Sequence, residues 1–160
     1  MQNKNLINES EISEALEAVS RNGTNISLPR FMHLQGNKRV VLAAVKEDGH
    51  ALNYVSEELR NDPEVVLAAV KSSGRALNYA SEALRGDPEI VLAAVNKNAG
   101  ALQYASEALR GDREIVLAAV SQGWWALRDA SKALRRDRDF VLAALKSRGC
   151  ALKYASEALK

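Results

Sequence analysis

The feature that most constrains this chain is that it repeats itself. Five stretches align with no insertion at a period of 25: residues 36–60, 61–85, 86–110, 111–135 and 136–160. The second, NDPEVVLAAVKSSGRALNYASEALR, shows the pattern most fully. A unit this short cannot bury an apolar face by itself, so a fixed period of this size implies an array in which each unit is covered by its neighbours. A decayed copy precedes the five. Leu16, Ala18, Val19, Gly23 and Ile26 match Leu42, Ala44, Val45, Gly49 and Leu52 at an offset of 26. The chain therefore divides into a tail with a degenerate N-terminal capping repeat (1–35) and five tandem repeats (36–160).

Each unit predicts two helices. Asp62-Pro63-Glu64 and Asp87-Pro88-Glu89 are start signals: Asp accepts from free N–H groups, Pro suits the first helical position, and Glu favours the positive end. The apolar run that follows covers every side of a short helix, which predicts an inner layer buried all round. Glycines at 49, 74, 100, 123 and 149 read as its stop signal. The second helix begins near Ala76, with Leu77, Ala80 and Leu84 on one face and Asn78, Glu82 and Arg85 on the other. Ser81 stands where a break and a short capped turn could follow. A leucine-rich-repeat β-solenoid falls in the same period range, but its L-x-L alternation and asparagine ladder are missing. The expected fold is an all-α solenoid of five helix-pair repeats.

The pattern D-x-E-x-V-L-x-A-V-x-x-x-G-x-A-L-x-Y-A-S-x-x-L resembles a tandem-repeat family catalogued as a domain of unknown function, with arrays in bacterial proteins, host-associated bacteria among them, and in some protists. The resemblance covers residues 36–160. Lys38 and Arg39 depart from the Pro-Glu start, and Asp129 stands where the other units have Tyr. The resemblance implies the fold and an interaction role; it carries no active site, ligand or functional residue.

Repetition separates positions. Val41, Leu42, Ala43, Ala44, Ala51, Leu52, Ser56 and Leu59 recur identically in all five copies, as expected of scaffold, with buried Leu and Val contributing about 1.5–3 kcal/mol each. Tyr54, Tyr79, Tyr104 and Tyr154 form a ladder that reads as cover for the seams between units, with a base-stacking surface as the functional alternative. Glu57, Glu82, Glu107 and Glu157 lie three residues before Arg60, Arg85, Arg110 and Lys160, spacing for i, i+3 ion pairs on a solvated face. The variable stretch lies between the helices: KEDGH, KSSGR, NKNAG, SQGWW and KSRGC. A fixed frame with changing loops is how repeat binders separate scaffold from recognition, and drift in an unconstrained turn gives the same pattern.

Catalytic chemistry is not legible. His33 and His50 lack partners at metal-ligand spacing, Cys150 lacks a nearby His, and no glycine loop is placed to cradle phosphate. The expectation is no enzyme, no cofactor and no metal. A single cysteine suits a reducing compartment, no apolar run approaches a membrane span, and MQNKNLINES has no secretory h-region. These point to a soluble protein of the cytoplasm, or of a host cell if exported without a cleavable signal. Charge is uneven: residues 111–160 hold ten Lys/Arg against six Asp/Glu, although the whole chain is only +2.

The fourth unit breaks the pattern in both halves. Trp124 and Trp125 replace a Gly-and-polar pair, Asp129 replaces the ladder Tyr, and Arg128 and Lys132 turn the outer stripe basic. Trp125 and Asp129, at i and i+4, suggest that a half-buried Trp125 fills the space of the missing Tyr. Trp124 is then the exposed anchor. The expected function is a non-enzymatic scaffold that binds another protein through its inter-helix loops and this unit, using Trp124, Trp125, Arg128, Lys132, Arg135, Arg136 and Arg138. The alternative is a nucleic-acid-binding repeat using the basic C-terminal half. The last copy ends in phase without polar capping, so the expectation is either that Phe140, Leu145 and Leu152 sit against a second chain, as self-association, or that further sequence follows in the natural protein.

Overall fold

The computed structural model describes residues 8–146, with the side chain of Leu145 left aside. Gly149, Cys150, Leu152, Tyr154, Glu157 and Lys160, and with them the self-association expected of the final half-unit, lie outside the described residues.

A capping helix, α1 (Glu9–Arg21), is followed by long helices α2 (Lys38–Glu47), α4 (Pro63–Ser72), α6 (Pro88–Lys97), α8 (Arg113–Gln122) and α10 (Arg138–Lys146). Between them lie short helices α3 (Glu57–Arg60), α5 (Glu82–Arg85), α7 (Glu107–Arg110) and α9 (Lys132–Arg136). Each long helix packs on the next, and the returning segments pack on one another in a second layer. The architecture is an all-α helical-repeat solenoid. α1 and the 3-10 segments Gly23–Ser27 and Pro29–Leu34 extend it at the N-terminal end, where Val19, Ile26, Phe31 and Leu34 are buried.

The start signals work as read. Asp62, Asp87 and Asp112 each accept hydrogen bonds from the N–H groups two and three residues on, at 2.9–3.3 Å. Asn37 does the same for α2, so the first unit starts its helix without Pro-Glu. Lys38 and Arg113, which stand where α4 and α6 have Pro, reach into the next unit: Lys38 Nζ lies 2.7 Å from both Asp62 and Glu64, and Arg113 lies 2.8 Å from Asp137. The hydrogen bond from Lys38 depresses the Asp62 carboxyl and raises the lysine; Phe140 N–H, then Arg113, depress Asp137.

Four features settle or correct the expectations. The break and short capped turn that Ser81 offered are present, so the second element is not one helix. It is a 3-10 segment (Gly74–Tyr79 in the second unit), two extended residues, and then the four-residue α5. The break occurs because the serine N–H bonds outside its own unit. Ser56 donates to Gln35 O, Ser81 to Arg60 O, Ser106 to Arg85 O and Ser131 to Arg110 O, at 2.7–3.0 Å. Each serine Oγ then caps the short helix by accepting from the N–H three residues on.

The glycines, second, end only one of the long helices, α8 at Gly123. The helices end on Asp48, Ser73, Asn98 and Gly123 in extended conformation, and Gly49 and Gly74 begin the 3-10 segments. Glycine is required there by the neighbour. A Cβ on Gly74 would lie deep inside contact with the Ala94 carbonyl oxygen of α6 and 3.0 Å from Asn98 N; Gly49 meets Ala69 O and Ser73, and Gly23 meets Ala44 O, in the same way.

Third, the long helices are not buried all round. In α4, Val65, Val66, Ala69 and Val70 are buried, but Leu67 and Ala68 are only half-buried, and Leu42, Ala43, Leu92 and Ala93 match them. Fourth, the Glu–Arg columns do not pair: no ion pair joins Glu57 to Arg60, Glu82 to Arg85 or Glu107 to Arg110. Those arginines are half-buried with Nε enclosed, while the glutamates face solvent.

Candidate functional site

The variable stretch of each unit forms the edge where long helices hand over to 3-10 segments. At this edge one residue does two jobs. Asp48 and Asn98 donate their N–H to the last turn of the helix behind and accept, through the side chain, from His50 N and Gly100 N ahead, both at 2.9 Å. Ser73 makes no such side-chain cap, and Gly123 has no side chain to make one. Neighbouring units meet across the edge: the His50 ring lies edge-on to Tyr79 of the next unit, with centroids 6.4 Å apart. Tyr79 and Tyr104 are half-buried against the core, as a seam-covering ladder requires, and Tyr54 is exposed.

In the fourth unit this edge carries Trp124 and Trp125, the first two residues of the 3-10 segment Trp124–Asp129. Trp124 is 38% exposed and Trp125 is 48% exposed, so the order of exposure is the reverse of the expected one. The Trp125 ring folds back over Gly123: a Cβ on Gly123 would sit 2.6 Å from Trp125 Cε2 and closer still to the ring's far edge. The expected placement of Trp125 over Asp129 rested on α-helical spacing. With three residues per turn, the 3-10 segment eclipses Trp125 with Arg128 and sets Asp129 on another side. Asp129 keeps only 14% of its side chain exposed and accepts from Arg128 Nε at 3.4 Å. By the register in which His50 meets Tyr79, the residue opposite Asp129 is Gly100 of the preceding unit.

Of the other predicted residues, only Arg128 shares a side of the 3-10 segment with Trp125. Lys132 and Arg135 lie on α9, Arg136 ends it and Arg138 opens α10; all four are exposed. The Arg113–Asp137 pair fixes the start of α10 beside the start of α8. Trp124 follows the end of α8, a helix of ten residues and so about 15 Å long. The tryptophans and the Arg135-Arg136-Arg138 cluster therefore occupy opposite edges of the array, with Arg128 and Lys132 on the chain between. Arg138 also holds the position that Lys38 and Arg113 use to bridge to a following capping Asp. Folding the chain splits one apparent site into an aromatic edge and a basic edge.

Sequence reasoning missed a further surface. Lys46, Glu64, Leu67, Ala68, Lys71 and Ser72 line a shallow depression of about 450 Å³ between α2 and α4. Leu67 and Ala68 carry the signal for it, since they are identical in all five units yet only half-buried. Among the described residues no three His, Cys, Asp or Glu side chains are placed to hold a metal ion, and no helix is long and apolar enough to cross a membrane.

The model of a family described as Domain of unknown function (DUF4116) matches residues 37–85, 87–135 and 125–160. Its first two matches each span two of the 25-residue units. No curated protein and no solved structure matches the chain.

Proposed function

This chain belongs to the DUF4116 family, a domain of unknown function, and from that premise we propose that it is a non-enzymatic scaffold that binds another protein along its loop edge, anchored by the fourth unit. One observation carries the reading. Two adjacent tryptophans stand substantially exposed at the edge formed by the variable inter-helix stretches, while the core behind them repeats. Exposed Trp is the residue type most enriched among interface anchors. The alternative, a nucleic-acid-binding repeat, needs aromatic and basic groups interleaved along one path. The separation of Trp124 and Trp125 from Arg135, Arg136 and Arg138 speaks against that arrangement.

The two readings differ in which edge matters. The full chain, used as bait in an extract of its native host, should retain a specific protein. That protein should be lost with Trp124→Ala/Trp125→Ala and kept with Arg135→Glu/Arg136→Glu. In parallel, fluorescence anisotropy with single- and double-stranded oligonucleotides at two salt concentrations should show no specific binding. Salt-dependent oligonucleotide binding that Arg135→Glu/Arg136→Glu abolishes would overturn the protein-binding reading in favour of the alternative.

A further inference from the structure

The long helices present a face that the core covers only in part. Leu42, Leu67, Leu92, Leu117 and Leu142, each followed by Ala, form a stripe across all five units, and Leu117 is 36% exposed. Lateral packing between neighbouring helices explains the buried half of each leucine. It does not explain why the half-exposed pair is invariant while the loops beside it vary. The stripe runs between two rims of opposite charge. At the N-terminal ends lie Glu64, Glu89, Glu114 and Asp139, and at the C-terminal ends lie Lys46, Lys71, Lys97 and Lys146. All of these are exposed, and they fall at i, i+3/i+4 and i+7/i+8 with the Leu-Ala pair, on one helix face. Exceptions are confined to the first unit, where Arg39 replaces the acid and Glu47 sits beside Lys46, and to the fourth, which has Ser121 and Gln122 at its basic end. Within the acidic rim Glu64 is bridged by Lys38.

We propose that this face is the interface between two copies of the chain, related by a twofold axis running along the stack. That operation sets each long helix antiparallel to its own counterpart and turns the acidic rim of one copy onto the basic rim of the other. Glu64 then meets Lys71, Glu89 meets Lys97, and Asp139 meets Lys146, each pair occurring twice. A twofold across the stack would set acid against acid. An isologous interface must be complementary to itself, and a stripe with oppositely charged rims satisfies that. Its size suffices. Helices about 15 Å long, packed about 9 Å apart, give a face on the order of 650 Å² per copy. The total of roughly 1,300 Å² exceeds the ~1,000 Å² expected of a specific interface.

Sedimentation equilibrium or light scattering on the full chain, across micromolar concentrations, tests this directly. A dimer is expected. Leu117→Glu, at the most exposed leucine of the stripe, should shift it to monomer with an unchanged helical spectrum. Glu89→Lys should weaken dimerisation at least tenfold, and Glu89→Lys/Lys97→Glu should restore it, because the double reversal rebuilds the same pairs with exchanged signs. Should Leu117→Glu fail to fold, the two charge variants still decide the matter. A monomer at all concentrations overturns the proposal and leaves the face to another partner. A dimer indifferent to Glu89→Lys also overturns it and places the contact elsewhere, as at the final half-unit. Neither result touches the loop-edge reading, which is scored by partner retention.

Discussion

Gly74→Ala adds one methyl group where the structure leaves no room. The new Cβ would meet the Ala94 carbonyl oxygen and, at 3.0 Å, Asn98 N. Both are backbone atoms at the end of α6, tied to each other by a 2.9 Å hydrogen bond, so no side chain can rotate out of the way. Relief requires the second and third units to move apart. Overpacking of this kind costs about 1–3 kcal/mol. Replacing Gly also restricts the unfolded chain, which returns about 0.4–1 kcal/mol. The net loss should be about 1–2 kcal/mol, or a fall in Tm of roughly 2–8 °C for a chain of this size. Gly86→Ala is the control, because it shares the unfolded-state gain but meets nothing nearer than Ala83 O at 3.3 Å. Hydrogen exchange adds a local readout. The Ser106 N–H, bonded to Arg85 O across the same joint, should exchange faster in Gly74→Ala, while Ser56, at an earlier joint, should not change. If Gly74→Ala melts level with or above Gly86→Ala, the close approach does not limit the joint and the reasoning fails.

Ser106→Ala removes the acceptor for Leu109 N but keeps the inter-unit backbone bond, so stability should drop by about 1 kcal/mol in a denaturant titration, with the fold retained by circular dichroism. Gly123→Ala should expel the Trp125 ring, read as a red shift in tryptophan emission, at a smaller stability cost than Gly74→Ala because the obstacle is a side chain. Lys38→Met should destabilise the chain over a defined pH window. Asp62 is depressed below 3.8, so its contribution is complete above that value and is lost as pH falls through the folded pKa; Lys38 is raised above 10.5, so its contribution is lost as pH rises through the folded pKa. The difference between wild type and Lys38→Met should therefore be flat between these limits and shrink beyond both, and a difference that persists in strong acid would show that the pair is not its source.

The unit length, the Asp starts and the buried Val, Ile and Ala positions were legible because each depends on residues within one unit. What was not legible depends on the neighbour. The break at Ser81 was legible as an option, but what fixes it is its N–H going to Arg60 O, a bond between residues 21 apart that no local periodicity reports. Gly49 and Gly74 looked like helix terminators because the carbonyls that exclude their side chains belong to the following unit. The split of the predicted site has the same origin. Trp124 and Arg138 are close in sequence, yet the chain runs back along the array between them and emerges at the other end of the long helices. Leu42 and Leu67 misled for another reason: repetition marks a position as shared by every unit, and both a buried seam and an exposed stripe are shared by every unit.

The position that accommodates no side chain in the first joints ties the fold to the proposed function. It is Gly at 23, 49 and 74, Ala at 99 and Trp at 124. Ala99 is buried, so the joint between the third and fourth units seats a methyl group. A joint as close as those at Gly49 and Gly74 has no room for an indole, and 38% of Trp124 meets solvent. Steric exclusion is enough to account for that exposure. It does not account for the residue being Trp, since Gly satisfies the joint wherever it occurs and most substitutions of Gly at such a site cost stability. The immediate neighbour points the same way: the Trp125 ring lies against Gly123, where any side chain would displace it. Two large aromatic residues are thus held at one edge, one by exclusion from the core and one by a glycine beneath it. An array that gained nothing from aromatic surface at this edge would be more stable with the residues its other units use.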